Sequence, residues 1–288
     1  MQRTLLLACA LALGAQAQTV APPTEEVLFV KRELFPVDAQ LETTVYRPAG
    51  KGPWPMVVLN HGQRDFGDQK MQPRNQPVET ARFFLDRGYL VVAPMRQGFS
   101  RSTGYYRFSC DHEQYARRYA GDISAVVKHF VLAGEARPDQ ILVASQSNGG
   151  FVLLGYAVES AKDEFRPRAI VNFAGGFNSN RTDCDWRAAA IMPARVFGAS
   201  TRVPALWLYA EDDVIFPPSI SQPYFEAYQE GHPDAQFKLY PRGGHGMSNT
   251  RSGRQMWGPD VEAFLRRVGL PAQVAPSRGS LTGSVHSP

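Results

Sequence analysis

Cysteine is scarce in this sequence, with 3 residues among 288, and none of them forms the Cys-x-x-Cys pair typical of zinc and redox sites. No two histidines stand at the spacing of a helical metal-binding pair. We therefore expect neither a metal ion nor an organic cofactor.

An excess of charge is equally absent, since the formal net charge is only +4. No run of basic residues with interleaved aromatics occurs, and this excludes the usual pattern of a nucleic-acid-binding surface. Long hydrophobic runs are missing too. The longest candidate, Leu5 to Leu13, is too short to span a bilayer, so stable membrane insertion is not expected.

The same short run has the features of a secretion signal. Arg3 supplies the positive charge that precedes it, and Ala15-Gln16-Ala17 follows as a small-x-small cleavage site. We predict a signal peptide over residues 1–17, cleavage after Ala17, and a secreted or periplasmic mature protein.

Cleavage at that position leaves two cysteines, Cys110 and Cys184, both in polar, loop-like surroundings. An even number of cysteines in an oxidising compartment favours a disulfide. We predict that these two residues form one and join two loops; two free thiols are the alternative.

The rest of the chain alternates between short apolar runs typical of strands and amphipathic stretches typical of helices, which indicates an α/β fold. We expect one domain over residues 18–270 and a disordered Ser/Gly/Pro-rich tail over 271–288. The second strand alternates apolar and polar residues, which predicts an antiparallel strand with one face in water. Strands are predicted at 27–31, 41–46, 56–59, 89–93, 141–144, 169–173, 204–209 and 237–240, with the main helices at 78–87, 119–133, 219–230 and 261–268.

One predicted strand ends in small residues around a serine, and an apolar helical pattern follows. The sequence Ser145-Gln146-Ser147-Asn148-Gly149 has small residues two positions before and after Ser147. This pattern is typical of a nucleophile elbow, in which a sharp strand-to-helix turn exposes a serine hydroxyl. Placing Ser145 at the turn would put the bulky Val143 at the first small position, so we choose Ser147.

Two further chemically active segments follow predicted strands. Asp212 and Asp213 come after the strand 204–209, and His245, between two glycines, comes after the strand 237–240. The carboxyl ends of parallel strands meet at one edge of a sheet, where ligands bind. A histidine can deprotonate the Ser147 hydroxyl, and a carboxylate can orient that histidine. Either aspartate can supply the carboxylate.

With His61-Gly62 after the strand 56–59, these motifs resemble those of α/β-hydrolases, and the nearest branch is the dienelactone hydrolase-like proteins. The resemblance covers roughly residues 27–268. It implies a twisted, mostly parallel sheet of about eight strands flanked by helices. It also implies a short cap insertion over the site, which we place at residues 177–200.

The resemblance also implies roles for individual residues. The acid of such proteins takes the fourth place of a small-x-x-Asp turn, which selects Asp213 over Asp212. The backbone N–H groups of Gln63 and Asn148 would form the oxyanion hole, and His61 would be structural. Dienelactone hydrolases proper use a cysteine nucleophile, so Ser147 favours a serine esterase instead.

We therefore expect a secreted serine hydrolase that cleaves small-molecule carboxylic esters through an acyl-enzyme intermediate. One alternative is a peptidase resembling the catalytic domain of prolyl oligopeptidase, although no propeller-sized region precedes the domain. A second alternative is a non-catalytic binding protein on the same scaffold, because fold alone does not fix function.

Overall fold

The computed structural model describes residues 25–64, 68–177 and 185–275. The predicted signal peptide (1–17), most of the predicted tail and Cys184 lie outside these ranges. The domain boundaries drawn from the sequence therefore stay predictions.

Eight strands form a single sheet in the order β1-β2-β4-β3-β5-β6-β7-β8. Strand β2 pairs antiparallel with β1 and with β4, and all the other neighbouring pairs are parallel. The prediction of a mostly parallel eight-strand sheet is confirmed. The strands are β1 (Glu25–Arg32), β2 (Ala39–Tyr46), β3 (Trp54–Asn60), β4 (Leu90–Pro94), β5 (Ala136–Gln146), β6 (Ala169–Phe173), β7 (Ala205–Ala210) and β8 (Gln236–Tyr240).

Helices cover both faces of the sheet. In β3, Met56 and Val58 belong to the hydrophobic cluster on one face, whereas Val57 and Leu59 belong to the cluster on the other. Strands buried on both sides need apolar residues at every position, which explains the continuous apolar runs in the sequence. The first face carries α2 (His112–Leu132), α3 (Asn148–Glu159), α4 (Trp186–Ser200) and α5 (Pro218–Gln229), and the second carries α1 (Val78–Leu85) and α6 (Arg251–Arg267).

Several predictions from the sequence are wrong in detail; helix α6, for example, begins at Arg251, ten residues before the predicted Val261. Strand β2 has no wet face, because Glu42 is 2% exposed. The loop after β4 covers it: the Ser102 hydroxyl accepts the Glu42 N–H at 2.9 Å, and the Glu42 carboxylate accepts the Arg101 N–H at 3.2 Å. Helix α2 begins seven residues earlier than the predicted Tyr119. Asp111 caps it by accepting the Gln114 N–H at 2.9 Å.

The second half of the predicted cap segment is helix α4. Its Ala194 and Phe197 are fully buried in the core, and the Phe197 ring meets Phe151 of α3 edge-on at 5.9 Å between centroids. Helix α4 is thus part of the layer that flanks the sheet. Residues 178–184 lie outside the described ranges, so a cap there stays a prediction.

None of the helices in the described ranges combines the length and the apolar composition needed to cross a membrane.

Candidate active site

Ser147 occupies the turn between the end of β5 and the start of α3. Its backbone has φ 54° and ψ −131°, a conformation that costs free energy for any residue with a side chain. Hydrogen bonds hold it there: the Ser147 N–H donates to the Phe173 carbonyl at 3.1 Å, and the Ser147 carbonyl accepts from Gly150 at 2.8 Å and Gly176 at 3.0 Å. Ser145 lies within β5, and the positive φ is that of Ser147, so Ser147 is the residue at the turn.

The loop after β3 lies directly against this turn. A Cβ atom on Gly62 would stand 2.9 Å from the Cβ of Ser147, and one on Gly149 would stand 2.3 Å from the carbonyl oxygen of His61. Both distances are shorter than a side chain allows, so glycine is required for the close approach. The contact places the residues after Gly62 beside the serine.

His245 forms a hydrogen bond with Asp213, one of the two candidate acids. Its Nδ1 lies 2.9 Å from Asp213 Oδ2, and the Asp213 side chain is fully buried whereas that of His245 is 24% exposed. The other carboxylate oxygen accepts the N–H groups of Ile215 at 2.8 Å and Phe216 at 3.0 Å. This arrangement orients the imidazole with Nε2 directed away from the carboxylate.

The ionisation of Asp213 reflects two opposing effects. Burial disfavours the charged carboxylate, but the hydrogen bond and charge of His245, helped by the two backbone N–H groups, outweigh burial and lower the pKa of Asp213 below its ordinary value. Asp213 is therefore a carboxylate at neutral pH, as an orienting acid must be.

Asp212 contacts the histidine loop instead of the imidazole. Its carboxylate accepts the N–H of Gly244 at 2.7 Å and of Gly243 at 3.3 Å. On the other side of this loop, the Gln146 amide donates to the His245 carbonyl at 3.1 Å. Because Gln146 immediately precedes Ser147, this bond brings the histidine loop to the elbow.

The two predicted oxyanion residues lie on either side of the serine. Asn148 is the first residue of α3, where backbone N–H groups have no partner within the helix and favour negative charge. Its side-chain oxygen accepts from the Tyr115 hydroxyl at 2.8 Å and from Arg96 at 3.0 Å. The Gln63 side chain donates to the Tyr106 hydroxyl at 3.0 Å. These bonds fix both side chains.

Arg96 links these segments, although the sequence patterns gave it no role. It is fully buried, and its guanidinium donates to Asn60 Oδ1 at 3.2 Å, to the His61 carbonyl and to Asn148 Oδ1 at 3.0 Å. Within the described ranges no carboxylate forms an ion pair with it. Its position after the end of β4, at the same edge of the sheet as Ser147, is the signal that could have identified it.

His61 is a neutral, structural residue in this arrangement. Its Nε2 accepts the backbone N–H of Arg96 at 3.0 Å. Burial, together with the charge of Arg96, lowers the pKa of His61 well below the ordinary value.

A groove of about 1,330 Å³ lies elsewhere, between the β1–β2 connection, the loop after β4 and the start of α2. Arg32, Tyr105 and Arg117 line it, and none of the three predicted catalytic residues does. Volume alone therefore does not locate the candidate site.

Cys110 is exposed and forms no disulfide within the described part of the chain. Its predicted partner, Cys184, lies outside that part, so the disulfide stays a prediction. Across residues 25–64, 68–177 and 185–275, no group of three or more His, Cys, Asp or Glu side chains is arranged to hold a metal ion.

Comparisons with known proteins bear on the fold. The model of the X-Pro dipeptidyl-peptidase (S15) family matches residues 38–128, less than half of the chain, and no curated protein matches. A putative dienelactone hydrolase from Klebsiella pneumoniae superposes with a TM-score of 0.58 at 15% identity, covering 85% of this chain and 99% of that one.

Two further solved structures are similar. A thermophilic esterase from Thermogutta terrifontis, with bound butyrate, gives a TM-score of 0.59 at 19% identity over 89% of this chain and 98% of that one. An acylaminoacyl peptidase from Pyrococcus horikoshii gives 0.61 at 15% identity over 89% of this chain but only 43% of that one. The chain therefore has the α/β-hydrolase fold.

We predict that Arg96→Lys destabilises the protein by about 3 kcal/mol, because a lysine ammonium cannot make the same set of bonds from one buried position. The measurement is urea unfolding followed by circular dichroism. Arg101→Lys is the matched control, since Arg101 lies in the same loop and its side chain is 71% exposed. The free energy of unfolding of this control variant should equal that of the wild type. Equal stability of Arg96→Lys and the wild type would contradict the linking role.

Proposed function

We propose that the protein is a serine hydrolase that cleaves carboxylic esters through an acyl-enzyme intermediate. The observation that carries the proposal is the hydrogen bond of His245 to the buried Asp213, together with the bond from Gln146, the residue before the strained Ser147 turn, to the His245 loop. A nucleophile, an acid and a base in this chain order (Ser147, Asp213, His245) and at one sheet edge suit acyl transfer.

In this mechanism the Ser147 hydroxyl attacks the ester carbonyl while His245 Nε2 takes its proton. His245 then protonates the departing alcohol, and the acyl group remains on Ser147. Water, deprotonated by the same imidazole, releases the acid and restores the serine. Asp213 stabilises the imidazolium in both steps, and the N–H groups of Gln63 and Asn148 stabilise the negative carbonyl oxygen.

A peptidase is the second candidate. The match of residues 38–128 to the X-Pro dipeptidyl-peptidase family and the likeness to an acylaminoacyl peptidase favour it. We rank it below the esterase because this chain covers only 43% of that peptidase, whereas it covers nearly the whole of the dienelactone hydrolase and the esterase.

The test of the proposed function is the hydrolysis of p-nitrophenyl acetate by the wild type and by Ser147→Ala. We expect the variant to lose activity by at least about 10³-fold, because no other hydroxyl stands at the turn. Ser145→Ala is the control and should keep most of the activity.

Activity that survives Ser147→Ala would contradict the assignment of the nucleophile. A folded wild type that hydrolyses X-Pro or acylated peptides but no ester would favour the peptidase. A folded protein without any hydrolase activity would favour a non-catalytic binding protein.

The adjacent aspartates give a second prediction. Asp213→Asn should lower kcat by about 10³–10⁴-fold, because the amide no longer stabilises the imidazolium or fixes its tautomer. Asp212→Asn should cost about tenfold or less, since it weakens only the bonds that place the loop. The reverse order of the two effects would assign the orienting role to Asp212.

We further propose that the protein is exported and that Cys110 and Cys184 are joined after export. The support is the predicted signal peptide over residues 1–17 and the even number of cysteines that remain after its cleavage. The intact mass of the non-reduced protein from the periplasm or medium should correspond to a chain that begins at Gln18 and lacks two hydrogens. A mass that includes Met1 would contradict export with cleavage of the signal peptide. Two thiols that can be alkylated without reduction would contradict the disulfide.

A further inference from the structure

A small apolar cavity lies beside the candidate nucleophile. Its volume is about 20 Å³. The loop after β6, the loop after β7, helix α4 and helix α5 border it, and its lining includes Gly175, Gly176, Ile191, Phe216, Ile220 and Tyr224. None of these residues was assigned a role by the sequence patterns.

The walls of this cavity are bonded to the catalytic residues themselves. The Gly176 N–H donates to the Ser147 carbonyl at 3.0 Å. The Phe216 N–H donates to Asp213, and the Phe216 ring lies 5.5 Å from the His245 ring between centroids. Two residues of the cavity wall are therefore in direct contact with the serine turn and with the Asp213–His245 pair, which places the cavity next to the candidate site.

Aromatic packing closes the cavity behind these walls. A Cβ atom on Gly176 would come within 2.6 Å of the Phe216 ring, so this ring rests directly on the backbone. Tyr224, 3% exposed, is stacked on Phe151 at 6.0 Å and tilted against Trp207 at 5.1 Å between centroids. A close-packed interior of this kind resists enlargement by a ligand.

The volume sets the size of the group that fits. A cavity of about 10–15 Å³ holds one water molecule. The observed 20 Å³ therefore accommodates one or two heavy atoms. The methyl group of an acetyl ester and the ethyl group of a propionyl ester meet this limit, whereas a butyryl chain exceeds it.

We propose that this cavity is the acyl subsite and that it restricts the enzyme to esters of acetic and propionic acid. The proposal rests on the proposed function, since it takes Ser147 to be acylated. Its lining by Ile191, Ile220 and Phe216 suits an alkyl group and offers no charged partner to a polar acyl chain.

The experiment compares kcat/KM for p-nitrophenyl acetate, propionate, butyrate and hexanoate. Forcing additional methylene groups into a packed site costs about 1–3 kcal/mol, which corresponds to about 5–150-fold in rate. We expect kcat/KM for butyrate and for hexanoate to be lower than that for acetate by a factor within this range or above it. Propionate should react within about fivefold of acetate.

Ile191→Ala tests the wall directly, because it removes side-chain carbon atoms that line the cavity. The ratio of butyrate to acetate kcat/KM should rise about tenfold or more. Met192→Ala is the matched control: Met192 follows on the same helix, is 57% exposed and does not line the cavity, so the ratio should stay at the wild-type value. Thermal unfolding verifies that both variants are folded, and Ile220→Ala replaces Ile191→Ala if the latter is not.

The outcomes separate the two proposals. A wild type that hydrolyses hexanoate as fast as acetate, or a wall variant with an unchanged ratio, overturns the acyl subsite while the ester hydrolase stands. Absence of activity on all four esters in folded protein overturns the proposed function and the subsite with it.

Discussion

A buried guanidinium holds the candidate active site together. Arg96 bonds the end of β3 through Asn60 and His61, and it bonds the start of α3 through Asn148, from its own position after β4. Burying a charge costs several kcal/mol, which these hydrogen bonds must offset. In return, the two segments that carry Gln63 and Asn148 are fixed relative to each other. The positive charge of Arg96 also favours negative charge nearby, as on an oxyanion.

The two consecutive aspartates divide the task of placing the base. Asp213 is buried and contacts the imidazole, whereas Asp212 contacts only the backbone of the loop that carries it. Orientation of a ring and position of a loop are separate requirements, and one turn after β7 meets both. The Gln146 amide completes the loop's support from the elbow side, so the serine and the histidine are fixed through shared neighbours.

The sequence predicts those parts of the structure in which local pattern and tertiary environment agree. Strands such as β3 read as continuous apolar runs because both of their faces are buried, and the Ser147 turn requires small neighbours that are visible in the sequence. The burial of Glu42 was not predictable, because it depends on a loop more than 50 residues away. The small cavity likewise arises from contacts between distant segments. The position of Arg96 after β4 is visible in the sequence, but its bonds to Asn60, His61 and Asn148 depend on the fold.

If the cavity takes the acyl group as proposed, the hydrogen bond between Gly176 and the Ser147 carbonyl couples substrate choice to the geometry of attack. The same short loop is a wall of the cavity and a support of the strained turn. Any widening of the cavity that moves this loop will also disturb the serine, so broader specificity obtained there comes with slower chemistry. Ile191 of helix α4 also lines the cavity, but it belongs to a different element from the loop that is bonded to Ser147. Variation of specificity, in natural relatives or by design, is therefore better tolerated in α4 than in the loop after β6.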